Sequence, residues 1–166
     1  MRTPDLANAI LSLRPGAEYH LLDSNDLATL AWSDERLRPT DAEIGAELAR
    51  LAGASVQLVA YAATKRWQKE VGGIVVNGIP VPTDDRAKLL ILGAAQTLAD
   101  NASAPFVSGG VNYGTLTGVQ FRALNAAIVA HVQASFVALA DVLSGIKAGS
   151  VTTTGQVDAA KWPANT

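Results

Sequence analysis

The chain has no cysteine, and aromatic residues make up only 5% of it, three each of Trp, Tyr and Phe. The first absence excludes disulfides, thiolate zinc sites and cysteine nucleophiles, whatever compartment the protein occupies. The second leaves Ala, Leu, Val and Ile to build the core, because apolar residues still amount to 49%. Such small side chains suit close helix packing. Charge of one sign is lacking too: 13 basic and 15 acidic residues leave a net charge of -2. No broad field draws the protein to nucleic acid or to an anionic membrane. The start, "MRTPDLANAILSLRPG", is interrupted by Asp5, Asn8, Ser12 and Arg14 well short of a signal-peptide core. Nowhere does the sequence lead us to expect a run near the roughly 20 apolar residues that span a bilayer. The expectation is a protein made and kept in the cytosol until something assembles it, with no membrane and no nucleic acid among its partners.

With 166 residues there is room for one core or for two small units on a connector. Leu6, Ile10 and Leu13 fall at helical spacing over residues 5–13, with Thr3 as cap and Pro4 at the first helical position. Pro15-Gly16 stops that helix. The runs "AEYHLLD" and "LATLAW", parted by Ser24, Asn25 and Asp26, predict a hairpin with about three to five loop residues. Thr40-x-x-Glu43 is a capping box that opens a long helix. Its Ile44, Leu48, Leu51, Ser55, Leu58 and Ala62 recur at steps of four and three, closer to a coiled-coil seam than to a broad buried face. This helix can link two units or pair with copies of itself, and its Lys65–Lys69 end reads as solvated.

In "GGIVVNGIPVPTDDRAK", Gly72 to Lys88, two β-branched runs flank Asn77-Gly78, a pair that tolerates the positive φ angles of a tight hairpin. Pro80 and Pro82 cannot donate to a ladder and mark the second strand as an edge. Thr83 is the expected cap of the next helix, with Asp84 and Asp85 in its first turn, where carboxylates favour the positive end of the dipole. Ala87, Leu90, Ile91, Ala94, Ala95 and Leu98 are its expected buried stripe. A second hairpin, "FVSGGVNYGTL", turns at Gly109-Gly110. A second capping box, Thr117-x-x-Gln120, opens a helix with Phe121, Leu124, Ile128, Ser135, Leu139, Val142 and Ile146 on one face. "SVTTTGQVDAAKWP" adds a short helix capped by Thr154. The fold class is α+β: a helix-plus-hairpin unit over 1–39, a connector helix over 40–70, and a C-terminal unit of hairpins and helices over 71–166.

No catalytic, cofactor or metal residues emerge. Gly73 and Gly78 have P-loop spacing, but Ile79 and Pro80 stand where Lys and Ser or Thr must hold phosphate and magnesium. No further ligand lies near Asp84-Asp85 to complete an oxygen cage. His20 and His131 lack a metal-binding spacing, and a hydrogen-bonded packing role suits His131. Ser108 in "VSGG" is not a nucleophile elbow, although a Ser-His pair assembled in space stays open. Trp32, Trp67 and Trp162 are scattered and do not interleave with a basic patch as single-strand readers require.

Two parts of the chain carry a resemblance. "AILSLRPGAEYHLLDSNDLATLAWSDERLRPTDAEIGAEL", Ala9 to Leu48, resembles the XkdW-like small tail-region proteins of phages and prophages, in R-P-x-A, a two-stranded segment ending in Trp, and P-T-x-x-E-I. "GGIVVNGIPVPTDDRAKLLILGAAQTLAD", "LNAAIVAHVQASFVAL" and "IKAGSVTTTGQVDAA" resemble a phage-associated family of unknown function found near tail-fibre genes or within fibre proteins. The resemblance implies a non-enzymatic structural component of a tailed-phage virion, in the tail at the fibre or baseplate. Its partners would be fibre or baseplate proteins, and a homo-oligomer through the connector helix. The alternative is a fibre-assembly chaperone absent from the mature particle, and a small hydrolase or metal enzyme is the remaining rival.

Overall fold

The computed structural model describes residues 4–166, so Thr3, expected to cap the first helix, lies outside it. The protein is α+β, with 56% helix and 15% strand. The chain divides into two compact units: residues up to Ala60 with Gly145–Thr153, and Tyr61–Ser144 with Thr154–Thr166. The boundaries expected after residues 39 and 70 fall inside the first unit and inside the second.

In the first unit, helix α1 (Leu6–Leu13) starts two residues later than Pro4 suggested. Asp5 has extended backbone angles and caps the helix: its carboxylate accepts from the Asn8 amide, and the Asn8 side-chain oxygen accepts from the Asp5 amide, each at 3.1 Å. Two orphan donors are thereby satisfied. Strands β1 (Tyr19–Leu21) and β2 (Leu30–Trp32) pair antiparallel, with Tyr19 opposite Trp32 and their rings stacked at 6.5 Å. The connection runs over 22–29, longer than expected, because Leu27–Thr29 forms a 3₁₀ turn and not the start of a strand. Asp26 accepts from the Ala28 amide at 2.9 Å and Asp23 from the Asn25 amide at 2.8 Å, local bonds that outcompete a ladder.

Helix α2 (Asp41–Val71) opens with the expected box: Glu43 accepts from the Thr40 amide at 2.7 Å, and Thr40 Oγ1 accepts from the Glu43 amide at 3.2 Å. Leu6, Ala9, Ile10 and Ile44 form the core of this unit, with Leu48 and Leu51 packed against it. Burying Ile10 or Ile44 fully stabilises the fold by about 1.5–3 kcal/mol each. The seam read on α2 is thus occupied within the chain, Ile44, Leu58 and Ala62 being buried. Pairing of copies through that seam would have to give up this burial.

In the second unit, β3 (Ile74–Val76) and β4 (Ile79–Val81) form a hairpin closed by Asn77 and Gly78, at φ 52° and 79°. Helix α3 (Asp85–Thr97) follows. Its cap is Asp84, whose carboxylate accepts from the Ala87 amide at 3.0 Å. Thr83, expected in that role, is fully buried and accepts at its Oγ1 from the Gly73 amide at 2.9 Å, tying both ends of the hairpin together. Leu90 is 64% exposed, not buried, because the inward stripe of α3 centres on Ile91 and Ala95, and Leu90 is one step of the helix off it.

Strands β5 (Ser103–Ser108) and β6 (Val111–Thr117) turn at Gly109-Gly110, both at positive φ. Their register shifts between Pro105 and Val107, so that Phe106 is opposed by Tyr113 and Gly114, with Gly114 at φ 80°. Helix α4 (Gly118–Ala148) is opened by Thr117 and Gln120, whose reciprocal bonds measure 2.8 and 3.3 Å. A short helix α5 (Thr154–Asp158) begins at Thr154 itself, expected to precede it. Ile74, Val81, Ile91, Ala95, Phe106, Leu116, Phe121, Leu124 and Ile128 make the core, where the Phe106 and Phe121 rings meet edge to face at 6.0 Å. The end of the chain returns to this unit, the Asn165 amide donating to the carbonyls of Lys69 (2.7 Å) and Gly73 (3.1 Å).

Candidate functional site

Most of the residues that mimic catalytic groups are engaged in the scaffold. Asp84 caps α3 and Asp85 reaches Lys88 at 3.1 Å. Ser108 is buried and its hydroxyl donates to the Pro80 carbonyl at 2.6 Å, linking the two hairpins of the second unit. His131 is buried with Nε2 at 2.8 Å from the Lys69 carbonyl, joining α4 to the end of α2 within that unit. His20 is exposed on β1. Trp32 and Trp162 donate their indole N–H to the carbonyls of Arg36 and Val157, both at 2.8 Å. Among the described residues, no group of three or more His, Asp and Glu side chains gathers as a metal ion would require.

Along α4 the buried residues Phe121, Leu124, Ile128, His131, Ser135, Ala138 and Val142 recur at alternating steps of three and four. That stripe faces the core, and the opposite stripe carries Val119, Ala126, Val129, Ala130, Gln133, Phe136, Val137 and Ala140, all exposed. Val129 and Val137 are 51% and 61% exposed. No Asp, Glu, Lys or Arg occurs between Arg122 and Asp141. By length and composition α4 can cross a membrane, with a mean hydropathy of 1.8 over 18 residues. This corrects the expectation that no run was long and apolar enough: Asn125, His131, Gln133 and Ser135 broke the run to the eye without adding charge.

Beside this face sits the end of α2, which is less solvated than Lys65–Lys69 implied. Glu70 is buried and takes Arg66 and Lys88, the latter at 2.6 Å. Burial pulls the Lys88 pKa down, but its hydrogen bonds to Glu70 and Asp85 outweigh that and leave it raised. The Arg66 guanidinium lies 4.5 Å from the centre of the Phe136 ring and 5.9 Å from that of Trp67, two exposed aromatics. Trp, Arg and Phe on one patch is the composition of binding hot spots. Lys65 and Tyr61 both bind Asp158, holding α5; the bonds from Lys65, then Tyr61, lower the Asp158 pKa.

The first unit carries an open groove of about 620 Å³ between α1, α2 and residues 146–152. Leu11, Leu51, Leu58 and Ile146 line its apolar part, with Asp5, Arg50 and Lys147 at its polar edges. Arg50 is committed to Glu47.

A family described as Domain of unknown function (DUF4376) matches residues 40–161. The chain belongs to this family. The DUF4376 span opens on Thr40, the residue whose side chain caps α2, and contains α2 to α5 with both hairpins of the second unit. Helix α1 and the β1–β2 hairpin precede it. No curated protein and no solved structure matches the chain. The DUF4376 description assigns no chemistry, so the surfaces must be read from their own residues.

Sequence reasoning passed over the outward face of α4. The signal was present: two charges of opposite sign bracket a charge-free segment whose non-core positions are mostly Ala and Val.

Proposed function

We propose that the chain is a non-enzymatic structural component of a tailed-phage virion, placed in the tail at the fibre or baseplate after synthesis in the host cytoplasm, and acting by protein–protein contact. The observation that supports contact as its mode of action is the exposed, charge-free stripe of α4 beside Trp67 and Phe136. Contiguous exposed apolar surface on a small protein marks an interaction site. The phage assignment is supported by the resemblance of Ala9–Leu48 to XkdW-like tail proteins and of the Gly72–Asp100 signature to a fibre-associated family. Mass spectrometry of purified virions tests it: the chain is expected at a fixed ratio to tail proteins. Its absence, with other low-copy tail proteins detected, sinks the virion reading.

The same surface favours one other role, a fibre-assembly chaperone that covers apolar fibre segments and then leaves. Co-expression separates the two. A chaperone raises the solubility and trimer yield of the neighbouring fibre protein while remaining out of the particle.

A further inference from the structure

We propose that the outward stripe of α4 pairs with the same stripe of a second copy, the two helices antiparallel about a twofold axis level with His131 and Val132. The inference rests on reading this face as an interaction surface and names its occupant. Arg122 and Asp141 lie at equal distances either side of that level, about 28 Å apart along the helix. Antiparallel pairing therefore sets each Arg122 against the second copy's Asp141, at both ends of the contact. A parallel pair would oppose like charges instead.

Both groups keep capacity for a further bond, although Arg122 already pairs with Asp100 in its own chain. Arg122 uses at most three of its five N–H donors, on the carbonyls of Ala95 and Leu98 and on Asp100, and Asp141 is exposed and joins no ion pair among the described residues. The register also sets large against small at its centre line, where Val137 meets Ala126. Gln133, the one exposed polar side chain between the charges, falls within reach of its own copy across the axis. A polar pair at that place fixes register, as buried amides do in coiled coils. Phe136 and Trp67 widen the contact at its flank.

Sedimentation analysis of the full chain tests the pairing. The unaltered protein is expected to form dimers, and Val137→Lys to weaken association by about tenfold or more, because a charge would be buried without a partner. The Ala126→Glu, Val137→Lys double variant is expected to regain dimerisation, since positions 126 and 137 face one another only in this antiparallel register. Both positions are exposed, so circular dichroism should show unchanged folding. A monomer at every concentration, a Val137→Lys variant that associates like the parent, or a double variant that fails to recover would each overturn the inference. So would a monomer that partitions into neutral phosphatidylcholine vesicles, which would assign α4 to a bilayer. None of these outcomes decides whether the chain is retained in virions, which the particle measurement reads separately.

Discussion

At the scale of single residues, two glycines show how identical substitutions divide by surroundings. A Cβ at Gly118 would collide with the backbone carbonyls of Leu98 and Ala99, which cannot swing away as a side chain could. Gly118 also donates its amide to Ala102 at 2.9 Å, so the start of α4 is held against that turn. Gly118→Ala is expected to destabilise the protein by about 1–3 kcal/mol through overpacking. At Gly53, within α2, an added Cβ meets nothing within 4 Å, and the helical backbone needs no glycine. Gly53→Ala is expected to stabilise by about 0.5–1 kcal/mol, since alanine loses less freedom on folding. Urea denaturation of the two variants measures both; a Gly118→Ala variant as stable as the parent would show that the close approach at Gly118 is wrong.

At the scale of elements, α1 and α2 are joined by a bond that pH can remove. Ser12 donates its hydroxyl to Glu47 at 2.6 Å while Arg50 binds the same carboxylate from the next turn of α2. Hydrogen bonds from Arg50, and then Ser12, lower the Glu47 pKa from its ordinary 4.5 to about 2. A carboxyl depressed in the folded state contributes stability that is fully present above its unfolded pKa and is lost as pH falls through the folded one. Glu47→Gln should therefore melt below the parent at neutral pH, with the gap closing between pH 4.5 and about 2. A gap constant over that window would mean that the carboxylate's charge contributes nothing. Salt should narrow it as well.

Elements were legible where local chemistry decides alone. Asn77-Gly78 supplies positive φ whatever surrounds it, and both capping boxes close within four residues, so their reading needed no tertiary knowledge. Misreadings came where two local solutions compete. Asp84 displaced Thr83 as cap, and Thr83 was drawn into the hairpin by the Gly73 amide. Leu90 shows the other limit, since a hydrophobic pattern fixes a helix but not which of its neighbouring apolar residues meets the core: Ile91 is buried, while Leu89 and Leu90 before it are exposed. The face of α4 escaped notice because periodicity reports what is buried, whereas an interaction surface is recorded only as missing charge.

At the scale of the whole molecule, the composition removes one barrier to association and the surface supplies a reason for it. A net charge of -2 gives copies little mutual repulsion, and the charge-free stripe of α4 offers apolar area that water favours covering. Pairing and folding are then linked, because a dimer that forms only from folded chains draws the folding equilibrium toward itself. The melting temperature of the full chain should rise with protein concentration, each tenfold increase adding about 1.4 kcal/mol per mole of dimer. In Val137→Lys the rise should begin only at a concentration about tenfold higher or more, the melting temperature at low concentration matching that of the parent, since the substituted side chain lies outside the core. Calorimetric scans across a dilution series read both. A parent whose melting temperature ignores concentration would uncouple α4 from the stability of the molecule, and a variant that melts low at every dilution would place Val137 inside the fold and not at a contact between copies.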